Sequence, residues 1–393
     1  MQLSALLYPA EVEVDSIWQQ ANVFDDFRAG RASRARTLLI YTMSNSNETL
    51  QDISNKLSMQ KSRIDYLLFI NPSNFASEKR KFFKAFYEGQ AYNPKYKYKK
   101  THELFRKEEN YLFFVKKLLA KSKNGTTIDL IHTEIKDQLL RIQLIRSIGT
   151  PKVTVTSRKL FGAVDSVVVK KITAEIKGQQ KLFPQDGELF TQSELLTYAR
   201  DFFARHGFVG WRADINIPGG PSVCRSNDKL VLFQAKSSYN RHMVDILLAH
   251  EILGHAQQEE NAQQQSIPLF ISGFGLYEPL HEGFALWQES KINPKLETRI
   301  SLYYLAVYKA ERASFYQTFC YLLQWLSLDD AYILTSRVKR GLIDTGQPGT
   351  WYKDKLYYEG YEFIKKLNKT DKKIVARAKF DTRYFNDFKQ LVT

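Results

Sequence analysis

The stretch His250-Glu251-Ile252-Leu253-Gly254-His255 decides how this sequence reads. It differs by one residue from H-E-x-x-H, the spacing that sets two histidines on one helix face so that both reach one zinc ion. Here the histidines are five apart. Each residue of a regular α-helix turns about 100°, so this gap separates the two imidazoles by roughly 140°, too far to share a metal. A π turn adds one residue and closes that angle, and such turns recur at functional sites. Gly254, directly before the second histidine, lowers the steric obstacle to an unusual backbone. The expectation is a long helix over about 241–260, widened at 253–255.

A catalytic zinc takes three protein ligands and keeps one position open. The third comes from downstream, in Glu278-Pro279-Leu280-His281-Glu282-Gly283-Phe284-Ala285. Pro279 suits the first turn of a second helix. Small residues at 283 and 285 would let that helix approach the first closely. His281 and Glu282 are rivals for the third position, because neighbours on a helix point about 100° apart and only one can face the ion. Two histidines and Glu282 suit zinc better than calcium or magnesium, which take all-oxygen shells. Glu251, beside the first ligand, is the candidate general base, acting on a water that the ion acidifies.

The remaining chain supports a folded, mostly helical α+β protein. Of 393 residues, 44% are hydrophobic and 13% aromatic, enough for a sizeable core. The formal charge of +15 would draw acidic partners. Cys224 and Cys320 cannot make a disulfide framework. A reducing, cytoplasmic setting is the expectation, since the first ten residues lack a signal peptide's basic and apolar regions. No uncharged apolar run is long enough to span a membrane.

Along the chain, 1–75 reads as a separate opening segment, with a weak helical pattern over 12–27, a basic stretch over 28–36 and the apolar run LLIYTM (38–43). A helical region follows over 76–190, with helices near 77–89, 101–121 and 128–148 and a short pair within 155–178. YNPKYKYKK (92–100) alternates aromatic and basic residues. It reads as an extended segment with tyrosines packed down and lysines in water, rather than a nucleic-acid platform. The catalytic domain is assigned to 191–366. It opens with a helix over 192–206. The β-prone runs WRADINI and KLVLFQA, either side of the turn-rich IPGGPSV, then suggest a hairpin or two sheet strands. A loop is expected over 266–277, two or three helices over 296–340 and a last helix over 353–366. The tail, 367–393, is basic and either packs as a helix or hangs loose.

H-E-x-x-x-H followed by E-G-F-A resembles the tyrosine carboxypeptidase family, which takes in the microtubule-associated tyrosine carboxypeptidases and the bacterial flavohemoglobin-expression-modulating QEGLA-motif proteins. FYEGQAYNPKYKY, LLRIQLIRSIGT with SRKLFG, and RVKRGLIDTGQPGTWYKDKLYYEGY (337–361) are similar to further family segments, in order, over about 76–366. The resemblance implies a zincin-like catalytic domain with a helical N-terminal region packed on it, one zinc per chain, and removal of a C-terminal residue, tyrosine in the best-understood members. The family's metal ligands fall on His250, His255 and Glu282, and its base on Glu251. Two departures stand out. Leu253-Gly254 replaces the Gly-[Val/Thr] before the second ligand, and His281 replaces an acidic residue or glutamine.

An exopeptidase of this kind must hold a free α-carboxylate, and a guanidinium does so through paired hydrogen bonds. Arg340 and Lys353 are the first candidates for carboxylate or oxyanion partners, then Arg337. Tyr357 or Tyr358 could donate to a developing oxyanion. The implied partner is a peptide or protein C-terminal tail, acidic tails being compatible with the charge; nucleic acid and membrane are not favoured. A zinc endopeptidase, and a non-catalytic binding protein using the basic surface, would employ the same residues.

Overall fold

The long helix predicted around the histidines exists and organises the molecule. The structure is a computed structural model describing residues 49–120, 126–179, 187–216, 222–225, 228–236, 238–265 and 267–389. The readings made for 12–27, 28–36 and 38–43, and most of IPGGPSV, lie outside the described residues.

The first part is helical: α1 (Leu50–Arg63), α2 (Phe75–Tyr87), α3 (Arg106–Leu119), α4 (Thr126–Ser147), α5 (Lys152–Phe161) and α6 (Ser166–Ile176). Then come β1 (Leu189–Phe190), α7 (Gln192–Arg205), β2 (Arg212–Ile215), β3 (Val223–Arg225), β4 (Leu230–Phe233) and β5 (Tyr239–Asn240). α8 (Arg241–His250) runs through a π-helical turn (Glu251–Ala256) into α9 (Gln257–Ala262). The chain closes with α10 (Pro268–Ser272), α11 (Glu278–Glu289), α12 (Leu296–Arg312), α13 (Phe315–Leu322), α14 (Leu328–Lys339), α15 (Lys355–Lys366), α16 (Lys369–Val375) and α17 (Phe385–Phe388). Side-chain caps fix several starts. Thr49 with Asp52, Thr191 with Glu194 and Ser314 with Gln317 each satisfy two otherwise unpaired backbone donors.

Two hydrophobic cores result. The larger one takes a face from each of α1–α6 and α10–α17, with Ile53, Phe82, Ile142, Phe284, Tyr304, Tyr332 and Phe388 among its buried members. The smaller one joins α7 and the strands to one side of the histidine helix, through Phe203, Trp211, Val231, Phe233, Val244, Leu248, Ile252 and Ala256. The histidine helix therefore backs onto the small core, while α11 belongs to the large one. The candidate metal-site residues sit where the two meet.

Several expectations need correction. Of the two readings for the runs at 212–215 and 230–233, they are two sheet strands rather than a hairpin. β2 and β4 are parallel, and β3, inserted between them in sequence, pairs antiparallel with β4 on its other edge, in the order β2-β4-β3. Three residues ending in Arg225 carry too little apolar pattern to announce a strand. The loop expected over 266–277 contains α10, started by Pro268. The tail is not loose: Phe380 and Phe388 are fully buried and meet Phe270, and Phe388 also meets Phe274. In 92–98 the tyrosines do pack down. Tyr96 is buried and bonds Ser336, and Tyr98 accepts from the Gly341 amide, while Lys95, Lys97, Lys99 and Lys100 are exposed. No helix among the described residues is long and apolar enough to cross a membrane.

Candidate metal centre

Asn240 caps α8 by accepting from the Met243 amide, and the helix delivers His250 at its end. The next six residues form the π turn, so the extra residue predicted from the five-residue gap is present. Its effect on the rings is direct. The His250 and His255 ring centroids lie 4.8 Å apart, with planes at 86°.

Gly254 serves a different purpose from the one expected. Its φ is not positive, so the backbone does not demand glycine. A Cβ there would lie 2.5 Å from Ala285 Cα and 2.6 Å from Ala285 Cβ. Glycine is needed because α11 crosses the π turn in direct backbone contact. Gly283 faces the other way: a Cβ on it would meet the Gly360 carbonyl at 2.4 Å, and one on Gly360 would meet Pro279 O at 1.8 Å. α11 is thus clamped between the π turn and α15 by three residues with minimal side chains.

That clamp presents Glu282 to both histidines. Glu282 Oε2 lies 3.9 Å from His250 Nε2 and 3.6 Å from His255 Nε2, and the three donor atoms fall within 4.8 Å of one another. A tetrahedral zinc with bonds near 2.0–2.2 Å holds such donors about 3.4 Å apart. The arrangement therefore accepts an ion of that size with small inward shifts. His281, the rival, does not join the cluster. Its ring lies 4.1 Å from that of His255, tilted by 35°, and its Nδ1 bonds Gln258 Oε1 at 2.6 Å. Burial, then the neighbouring His255 and Lys379, push its pKa well below the ordinary histidine value.

Each acidic residue on one face of α11 has its own cation. Glu278 receives both terminal nitrogens of Arg141 at 2.7 and 2.8 Å. Glu282 Oε1 accepts from Lys353 Nζ at 2.9 Å. Both oxygens of Glu289 accept from Arg299 at 2.7 Å. Burial works to raise the Glu282 pKa, but the Lys353 charge and then His255 hold it well below the carboxylate range. Glu289 is held at about 2, burial being outweighed by Arg299 and His250. It lies 3.2 Å from His250 Nδ1. An ionised carboxylate only accepts, so Nδ1 carries the proton and Nε2 is the nitrogen that faces Glu282. Glu251 is half-buried at the start of the turn, and its side chain makes no hydrogen bond or ion pair among the described residues and so remains available.

The candidate substrate residues gather nearby, but unequally. Arg337 is committed: it makes two hydrogen bonds to fully buried Asp354, at 3.0 and 2.8 Å. Lys353 is engaged with Glu282. Tyr357 lies under both, with the Lys353 ammonium 5.0 Å and the Arg337 guanidinium 5.5 Å from its ring. Tyr358 turns away to pack on Tyr304. Arg340 is 7% exposed, its nearest anion is Asp354 at 3.7 Å, and its Nε is buried without a partner among the described residues. It is the under-satisfied cation of the group, and fully buried Tyr303, whose hydroxyl also lacks a partner, borders the same cluster.

A family model described as microtubule-associated tyrosine carboxypeptidase matches residues 80–381. The chain belongs to that family. A mouse protein named "Putative tyrosine carboxypeptidase MATCAP2" is 24% identical over 336 residues, covering 80% of this chain. The alignment takes in 52% of the mouse protein, so the chain spans about half the length of this curated relative.

The family match starts at residue 80, yet the site draws on residues before it. Lys61 bonds Glu134, Asp137 and the Gly275 carbonyl, and Tyr66 donates to Glu278. Glu289, Arg299 and Gln258 were not singled out from the sequence. Glu289 was within reach, since it stands seven residues after Glu282, two turns along one face. Arg299 and Gln258 carry no such local signal, because their partners lie on other elements.

Proposed function

We propose that this chain is a zinc-dependent carboxypeptidase with a zincin-like catalytic domain. It removes a C-terminal residue, tyrosine or another aromatic, from a peptide or protein tail. The observation that carries the reading is the convergence of His250 Nε2, His255 Nε2 and Glu282 Oε2 beside an uncommitted Glu251. The helix-borne histidines backed by a small mixed sheet support the zincin-like assignment, and the family's name supports the reaction class.

His250, His255 and Glu282 would hold the zinc, which supplies Lewis-acid polarisation of the scissile carbonyl and of a water molecule. Glu251 takes the proton of the attacking water and passes it to the leaving amine. Glu289 fixes the tautomer of His250, and Lys353 holds Glu282 ionised. Arg340 receives the substrate's terminal carboxylate: a guanidinium nine-tenths buried, its Nε without a hydrogen-bond partner among the described residues, costs stability unless a ligand anion completes it. Tyr357 packs beneath Lys353. The surplus of positive charge is compatible with an acidic tail.

The test is mass spectrometry of a peptide library with free and amidated C-termini, incubated with zinc-loaded protein. Free termini should lose one residue, amidated ones should not, and Glu251→Gln should slow cleavage by about 10²–10⁴-fold while keeping zinc. Equal cleavage of amidated peptides would make the chain an endopeptidase; undiminished activity of Glu251→Gln would remove Glu251 as the base.

A further inference from the structure

The two histidines of the cluster are held by different means. His250 is fixed in the usual way for a ligand, through its second ring nitrogen on Glu289. His255 is not. Its Nδ1 is buried with no hydrogen-bond partner among the described residues, so no acceptor stops the ring turning about χ2. What covers the ring is His281, 4.1 Å away and tilted by 35°.

His281 is itself locked. Its Nδ1 lies 2.6 Å from Gln258 Oε1. The Gln258 amide nitrogen donates to Val375 O at 2.7 Å and Ala378 O at 3.2 Å. Both amide protons are spent on carbonyls, so the amide cannot flip, Oε1 must accept, and the His281 proton sits on Nδ1. Gln258 is fully buried, and its surroundings are fixed by the C-terminal segment. Asn261 donates to Ala376 O at 2.9 Å, and Lys379 pairs with Glu259 at 3.2 Å. The segment that ends α16 therefore sets Gln258, Gln258 sets His281, and the His281 ring packs against that of His255.

We propose that His281 is a positioning residue for His255. Its ring face does by stacking what Glu289 does for His250 by hydrogen bonding. This rests on the zinc reading and adds that the second histidine is oriented by an aromatic face, anchored through Gln258 to residues 375–378. An aromatic ring without nitrogens keeps the stacking face but gives up the Gln258 bond, so it should keep more of the function than a side chain without a flat face.

The test is zinc affinity by competition with a chromophoric chelator, on full-length wild type, His281→Phe and His281→Ala, together with the visible spectrum of each protein loaded with Co2+. His281→Ala should bind zinc about 10–100-fold more weakly, the usual cost of losing a residue that orients a ligand, and its cobalt bands should shift. His281→Phe, which keeps a ring face but loses the Gln258 bond, should lose clearly less than His281→Ala in both. Unchanged affinity in His281→Ala, or an equal loss in His281→Phe, overturns the proposal. If His281→Ala fails to fold, His281→Leu, similar in bulk but without a stacking face, replaces it under the same criteria. Failure of the zinc reading itself shows separately, as a wild type that takes up no zinc in the same titration.

Discussion

Gly254→Ala puts the account under the most strain, because one methyl group tests both the packing and the site. The added carbon would stand 2.5 Å from Ala285 Cα and 2.6 Å from its Cβ. Carbon atoms rest about 3.5–4.0 Å apart, so α11 must retreat from the π turn by about 1 Å. Backbone on both sides leaves no rotamer that avoids the clash. Overpacking of this kind costs about 1–3 kcal/mol. The same retreat carries Glu282 away from the histidines, whereas metal–ligand distances tolerate only about 0.2 Å. Zinc affinity should fall at least about tenfold, and the metal-free protein should melt at a lower temperature. Adding Ala285→Gly should restore only part of the loss, since it removes the 2.6 Å contact and leaves the 2.5 Å one. Chelator competition and thermal unfolding of the metal-free protein measure both effects. A folded Gly254→Ala with wild-type zinc affinity and melting temperature would refute the idea that α11 is held against the π turn by this contact.

Arg340→Ala should raise KM for free-carboxylate peptides by about 10–100-fold, the worth of one charge-assisted contact. It should disturb the metal-free melting temperature less than Lys353→Met, which strands buried Glu282 and should cost about 3 kcal/mol; steady-state kinetics and melting curves separate the two. Asp354→Asn leaves Arg337 and Arg340 buried without an anion and should cost about 3–5 kcal/mol, read as a large fall in thermal midpoint. Glu289 gives a pH signature. Its folded pKa of about 2 lies below the ordinary 4.5, so its contribution of about 3 kcal/mol is present above pH 4.5 and is lost as pH falls through 2. The melting-temperature gap between metal-free wild type and Glu289→Gln should therefore be widest above pH 4.5 and narrow towards pH 2; a gap independent of pH would count against the assignment.

Local chemistry made the site legible. The five-residue gap between His250 and His255 is a covalent fact, and helix geometry converts it into a π turn without tertiary information. Pro279 marked a helix start in the same way. What stayed hidden depends on partners remote in sequence. Lys353 and Arg340 both read as cations for a substrate carboxylate. Only the fold shows that Lys353 already serves Glu282 while Arg340 has little to bind. Gly254 looked like a backbone requirement and is a packing one, because its neighbour Ala285 lies on another helix. β3 was missed because a three-residue strand draws its order from β4 rather than from its own pattern. The tail, read from its charge as a helix or a loose end, is anchored by Phe380 and Phe388, whose partners Phe270 and Phe274 stand more than a hundred residues earlier.

The most direct test is metal analysis of the purified chain after chelation, reloading and desalting, run beside His250→Ala and Glu282→Ala. The account predicts one zinc per wild-type chain and almost none in either variant, with all three proteins folded. A wild type that retains no zinc, or variants that retain it in full, would contradict the convergence of these three side chains on one ion.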